Sequence, residues 1–174
     1  MHKNVLLGIG NILFCDDGIG VYVAQYLQKN YSFSPSIEIV DGGTLGINLM
    51  QYFAQYDNVL IIDTISLNDS AGSIFRLPSK ELLGLSEYKN TAHEVEVIDM
   101  LQSAMLLDKQ ADVTIFGIIP EDINSVKIGL SLVLEKQFFS LLDSVIEDIQ
   151  KLNIEVKKTN TISLKEIIKN SYNL

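Results

Sequence analysis

Short unbroken apolar runs alternate along the chain with longer stretches in which apolar residues recur every three or four places. Val5-Leu6-Leu7 is one such run and ends in Gly8-Ile9-Gly10-Asn11, the pattern of a buried strand feeding a loop. From Gly18 the spacing turns helical, with Ile19, Val23, Tyr26 and Leu27 on one face. Ile37–Val40 predicts a second strand, stopped by Asp41-Gly42-Gly43, and Leu45, Leu49, Tyr52, Phe53 and Tyr56 trace a second helix. Val59–Ile62 predicts a third strand, closed by Asp63. The turn Asn68-Asp69-Ser70-Ala71-Gly72 is too short for a parallel crossover, so Ser73–Leu77 is expected to return as an antiparallel edge strand.

A loop through Pro78 and Gly84 leads to Thr91-Ala92-His93-Glu94, where Thr91 and Glu94 have capping-box spacing. Val97, Leu101, Ala104 and Met105 continue that helix. Val113–Ile118 is the last predicted strand, and Leu134, Phe138, Leu141, Leu142, Val145 and Ile149 line a long final helix. The alternation predicts an α/β three-layer sandwich: a doubly wound, mostly parallel five-stranded sheet with one antiparallel edge strand and helices on both faces. Ligands of such sheets bind beyond the carboxyl ends of the strands, near the switch in strand order. The expected organisation is one domain over 1–152 and a basic tail over 153–174. From Lys151 onward the chain holds five Lys and two Glu, a net +3 against −12 for the preceding residues. Within the tail, Ser163 and Glu166 suggest a capping box for a short helix, Leu164–Lys169.

Composition narrows the class. A chain of 174 residues buries roughly 70% of its unfolded surface, enough for a sizeable core. With 47% hydrophobic and 20% charged residues the chain is of ordinary globular make-up. Its formal charge of −9 disfavours nucleic acid and anionic membrane, because phosphate binding needs clustered cations. The single cysteine, Cys15, excludes an internal disulfide and a cysteine cage for zinc. No secretory signal is evident, since the first apolar stretch is broken by Gly8, Gly10 and Asn11 and runs into Asp16-Asp17. A cytoplasmic monomer is expected.

Three groups fall at the predicted strand ends: Asp16-Asp17 after the first strand's loop, Asp63 closing the third strand, and His93 in the first turn of a helix. An aspartate at a helix entrance is usually an N-cap, and Asp16 is expected to act so. A carboxylate at the end of a buried strand needs partners, which favours a functional role for Asp63. At His93 the helix dipole disfavours the imidazolium and keeps the ring available to a metal. Two carboxylates and a neutral imidazole suit a divalent ion such as nickel, zinc or manganese; without a metal, paired acids instead suit acid–base work. Cys15 adds a soft donor on one reading and a small buried hydrophobe on the other.

Two rivals fare less well. Gly8-Ile9-Gly10 resembles the start of a dinucleotide-binding fingerprint, but Leu13 stands where the third glycine belongs. A phospho-receiver module, with Asp63 as acceptor, would share the acidic pair and the strand-end aspartate. It also needs a lysine after the last strand, where this chain reads Phe116-Gly117-Ile118-Ile119-Pro120.

The string from Gly8-Ile9-Gly10-Asn11 to Asp16-Asp17-Gly18-Ile19-Gly20-Val21, joined to Asp41-Gly42-Gly43-Thr44-Leu45-Gly46, resembles the hydrogenase maturation proteases. Asp63, His93 and Gly117–Glu121 follow in matching order, and the resemblance spans about Lys3 to Leu152. It implies an endopeptidase that removes the C-terminal extension of a NiFe-hydrogenase large-subunit precursor once nickel has been inserted. Carried across residue by residue, it makes Asp17, Asp63 and His93 the ligands of the substrate's nickel and the catalytic residues. In isolation, another divalent ion takes nickel's place. Where this chain has Asp17, some members have the longer Glu, and Asp16 is the alternative ligand. Asp16, Asp41, Gly42, Gly43 and Thr44 are expected beside the substrate, whose backbone can approach Gly42-Gly43 closely. Catalysis is expected to be of aspartic type or assisted by the substrate's nickel. The resemblance implies no role for the lysine-rich tail.

Overall fold

The computed structural model describes residues 3–44, 50–78 and 111–172. Their elements are β1 (Asn4–Ile9), α1 (Ile19–Asn30), β2 (Tyr31–Ser34), β3 (Glu38–Gly43), α2 (Met50–Gln55), β4 (Asn58–Thr64), β5 (Ile74–Pro78), β6 (Asp112–Ile118), α3 (Leu132–Lys151), β7 (Glu155–Lys158) and α4 (Leu164–Ser171). The helix expected from Thr91, with His93, lies outside the described residues, as do Leu45 and Leu49.

Five strands form one sheet in the order β3-β1-β4-β6-β5. All neighbours run parallel except β5, which returns antiparallel along β6 at the edge. The predicted mostly parallel sheet with one antiparallel edge strand is therefore present. Each central strand divides its side chains between the two faces with period two. Leu6, Leu60, Ile62, Phe116 and Ile118 face α1 and α3, where Tyr22, Leu27, Leu134, Phe138, Leu142 and Val145 complete a buried cluster. Val5, Leu7, Val59, Ile61, Val113 and Ile115 face the other way and pack with Phe53 of α2. These strands are apolar on both faces because helices cover both, which is why they read as continuous runs.

Glycine sets how closely α1 approaches this sheet. A Cβ on Gly20 would lie 2.2 Å from the Ile62 carbonyl oxygen and 2.3 Å from that of Ile9. Only a residue without a Cβ lets the first turn of α1 rest on the backbones of β1 and β4. Because β1 has β3 on one side and β4 on the other, chain order reverses there, and the crevice between the carboxyl ends of β1 and β4 is the switch point.

The C-terminal segment is laid onto α1. β7 pairs antiparallel with β2 in a separate two-stranded ribbon, with Tyr31 opposite Lys158 and Ser34 opposite Glu155. α4 carries the expected capping box: the Ser163 hydroxyl accepts from the Glu166 N–H while the Glu166 carboxylate accepts from the Ser163 N–H. Ile154 and Ile167 are buried in the same cluster as α1 and α3. At the opposite sheet edge, buried Asp148 of α3 accepts from Arg76 Nε of β5 at 2.6 Å and from Lys151 Nζ at 2.7 Å. No helix among the described residues is long and apolar enough to cross a membrane.

Candidate active site

The chain leaves β1 through Gly10, whose φ of +131° is open to glycine and whose absent Cβ would meet the Asp17 carbonyl oxygen at 1.7 Å. It then coils through a 3-10 turn, Cys15–Gly18, directly into α1. Cys15 holds a left-handed φ of +48°, unusual for a residue with a side chain. Its N–H donates to the Lys127 carbonyl at 2.8 Å, so the loop after β6 holds the turn in this conformation. Cys15 itself is buried; that burial, and next the Asp16 carboxylate, push its thiol pKa up, so it sits as a neutral thiol.

The tight turn sends Asp16 and Asp17 to opposite sides. Asp16 is fully buried. Its Oδ2 accepts the N–H groups of Glu121 and Asp122, both at 2.9 Å, and its Oδ1 accepts that of Ser131 at 2.7 Å. Sequence reasoning expected Asp16 to cap the helix it precedes; instead neither the 3-10 turn nor α1 has a side-chain cap. Asp16 ties the 121–131 loop and the start of α3 to the turn, from 105 to 115 residues away along the chain. No local pattern signals partners that distant. Half-buried Asp122 orders the same loop by accepting the Asn124 and Ser125 N–H groups, and its bonds to Ser125 and then Asn124 lower its pKa.

Asp17 faces the switch point. It is 7% exposed and Asp63, at the end of β4, is 3% exposed. Asp17 Oδ2 accepts the Asn11 N–H at 2.9 Å. Thr64 links the two acids: its N–H donates to Asp63 Oδ1 at 2.7 Å and its hydroxyl lies 3.5 Å from Asp17 Oδ1. Thr64 was missed in the sequence, although its place one residue past Asp63 in an apolar strand is the signal that would have found it. Two nearly buried carboxylates, joined through Thr64, thus lie where β1 and β4 end, residue types able to bind a cation or to divide proton donor and acceptor roles. His93 lies outside the described residues. Among those described, no group of three or more His, Cys, Asp or Glu side chains forms a metal-sized cluster.

Asp41-Gly42-Gly43 end β3, on the side of β1 away from β4. Asp41 lies opposite Gly8 in the register, and its Oδ1 accepts the Gly43 N–H at 3.1 Å. Gly43, at φ +45°, in turn accepts the Gly10 N–H at 3.0 Å on its carbonyl. Asp41 and Thr44 are exposed, whereas Gly42 is buried and Gly43 half-buried. Asp41, Gly43 and Thr44 thus lie on the accessible rim of the β1 end, while Asp16 is shut away behind it.

Comparison with known proteins identifies the family and the fold. The family model for hydrogenase maturation protease (HycI) matches residues 21–148. The hydrogenase 2 maturation protease of Escherichia coli (strain K12) is 30% identical over 153 residues, covering 87% of this chain and 93% of its own. Among solved structures, the hydrogenase maturating endopeptidase HybD from E. coli superposes with a TM-score of 0.82 at 28% identity, covering 90% of this chain and 97% of that one. The [NiFe] hydrogenase maturation protease HybD from Thermococcus kodakarensis shares the fold, with a TM-score of 0.69 at 23% identity.

Proposed function

The chain belongs to the hydrogenase maturation protease family, and we propose that it is the endopeptidase that removes the C-terminal extension of a nickel-loaded NiFe-hydrogenase large-subunit precursor. The observation that carries this reading is the linkage of Asp17 to Asp63 through Thr64 at the switch point, with the Asp41-Gly42-Gly43 end of β3 paired to β1 next to it. The precursor's nickel is part of the substrate. Asp17, Asp63 and His93 take it as ligands, with hard oxygen donors and one imidazole suited to that ion. Gripping the metal fixes the neighbouring scissile bond against the strand ends, so cleavage becomes conditional on metal loading. The bond itself is opened either by water activated at the nickel or by acid–base work of the two carboxylates. The neutral Cys15 thiol is buried behind Asp16 and takes no part as a nucleophile. Among the described residues of the site, nothing favours the phospho-receiver alternative.

Incubation with nickel-loaded precursor, followed by mass spectrometry, tests the reading. Wild-type protein is expected to release one C-terminal peptide, and folded Asp63→Asn protein none. An intact precursor after incubation with wild type, or full release by Asp63→Asn, would overturn it.

A further inference from the structure

The family match ends at residue 148, yet the segment beyond it is joined to the site by a series of hydrogen bonds. The series starts from α1. Asn30, the buried last residue of that helix, accepts the Ile162 N–H at 2.7 Å and donates to the Ile162 carbonyl at 3.0 Å. Its own carbonyl accepts the Thr159 N–H at 2.8 Å. These bonds, with the burial of Ile167, seat α4 along α1.

Near the end of α4, buried Ser171 meets Gln25 of α1, 146 residues away. The Gln25 amide stands between two partners, and its orientation follows from them. Its Nε2 donates to the Asp41 carboxylate at 3.0 Å. A carboxylate can only accept, so the amide nitrogen must face Asp41 and Oε1 must face Ser171. The Ser171 hydroxyl also lies 2.8 Å from the Ile167 carbonyl, which can accept it beside the α-helical N–H four residues on. Both Gln25 Oε1 and the Ile167 carbonyl only accept, so the one hydroxyl proton is shared between them and ties Gln25 to the last turn of α4. Asp41, held this way, binds the Gly43 N–H; Gly43 binds the Gly10 N–H; and Asn11, next in the chain, binds Asp17. Gln28, one turn along α1, adds a second bond at 2.7 Å to the Ile39 carbonyl of β3.

We propose that Gln25 and Ser171 are positioning residues: the C-terminal helix fixes the Gln25 rotamer, which sets the Asp41-Gly42-Gly43 turn against the Asp17–Asp63 cleft. A glutamine side chain left without its second partner samples several rotamers, and the turn it holds then samples more than one position. The lysine-rich segment thus serves geometry at the site, and its effect on catalysis rests on the protease reading above.

The test is Ser171→Ala against Ser171→Thr in the full chain, with two readouts. In 15N–1H spectra, Ser171→Ala is expected to move the Gly43 and Gly10 amide resonances, and Ser171→Thr, which keeps the hydroxyl, to leave them near wild type. In precursor processing, Ser171→Ala is expected to lower kcat about 3- to 10-fold, the scale of one lost hydrogen bond, with KM and Tm near wild type and recovery in Ser171→Thr. Unmoved Gly43 and Gly10 resonances would overturn the relay whatever the activity. Moved resonances with unchanged kcat would overturn the positioning role, as would a loss that tracks a fall in Tm and is not rescued by threonine. Failure of wild type to process the precursor would instead sink the protease reading, and the spectra would still decide the relay.

Discussion

Asp16 and Asp17 are neighbours in the chain and lie on two sides of one turn, and the two sides are built differently. On the loop side, three backbone N–H groups of the 121–131 segment converge on the carboxylate of Asp16, which is fully buried. That is a structural use of charge: a carboxylate accepts several N–H groups at once, more strongly than a neutral oxygen does. On the strand-end side, Asp17 and Asp63 share Thr64 at the switch point, next to an exposed rim of Asp41 and Thr44. The same residue type thus fastens the scaffold on one side and lines the proposed active site on the other. What separates the roles is the partner set, which the sequence order conceals.

The largest expected effect breaks the strand-end side. Asp17→Asn, Asp63→Asn and His93→Ala are each expected to abolish precursor processing while circular dichroism and Tm stay near wild type. Substantial processing by any of them, once shown to be folded, would remove that residue from the catalytic set.

Asp16→Asn reverses the pattern. An amide nitrogen placed among three converging N–H donors cannot accept, so at least one buried bond is lost and a charge-assisted set becomes neutral. Stability is expected to fall by on the order of 3 kcal/mol, which lowers Tm by about 6–12 °C for a chain of this size. Activity per folded molecule should survive at low temperature. A Tm within a degree or so of wild type would refute the scaffold role.

Thr64→Val probes the link between the two acids. It keeps the backbone N–H bond to Asp63 and removes the hydroxyl, whose contact with Asp17 is long at 3.5 Å. Processing is expected to fall about threefold, since so long a contact contributes less than the ~1 kcal/mol of a good hydrogen bond. A loss as complete as that of Asp63→Asn would mean that Thr64 itself touches substrate.

The smallest effect lies away from both sides. Tyr56, after α2, donates its hydroxyl to Glu38 of β3, and that bond is the main cause of a tyrosine pKa pushed up to about 12 from 10.0. The folded state therefore holds the phenol proton more tightly than the unfolded chain does. Its contribution to stability is fully present below pH 10 and fades as pH rises to about 12. Titration by ultraviolet absorbance should show one tyrosine whose ionisation returns to an ordinary range in Glu38→Gln; an unchanged titration in that variant would refute the pairing.

How much was legible follows from the range of the interactions. β1, β4 and β6 are apolar on both faces, so local composition reveals them, and the short turn before Ile74 reveals the antiparallel edge. Asp63 was found because strand ends at a switch point are where such sheets place chemistry. The capping box of α4 lies within four residues and was equally readable. The β2–β7 ribbon was not, because Tyr31–Ser34 and Glu155–Lys158 are short, polar and more than a hundred residues apart. Asp16 misled for the same reason: local sequence suggests a cap, and its true partners lie across the fold. Gln25 looks like an ordinary surface residue of a helix until Ser171 and Asp41 are seen on either side of it.

Metal dependence is where the account is most exposed. The direct measurement is the mass of peptide released by chelator-treated, chelator-free protease from two precursor preparations, one loaded with nickel and one made without it. The account predicts release from the nickel-loaded precursor alone, with no need to restore metal to the protease. Efficient release from nickel-free precursor would contradict it and leave plain carboxylate catalysis by Asp17 and Asp63.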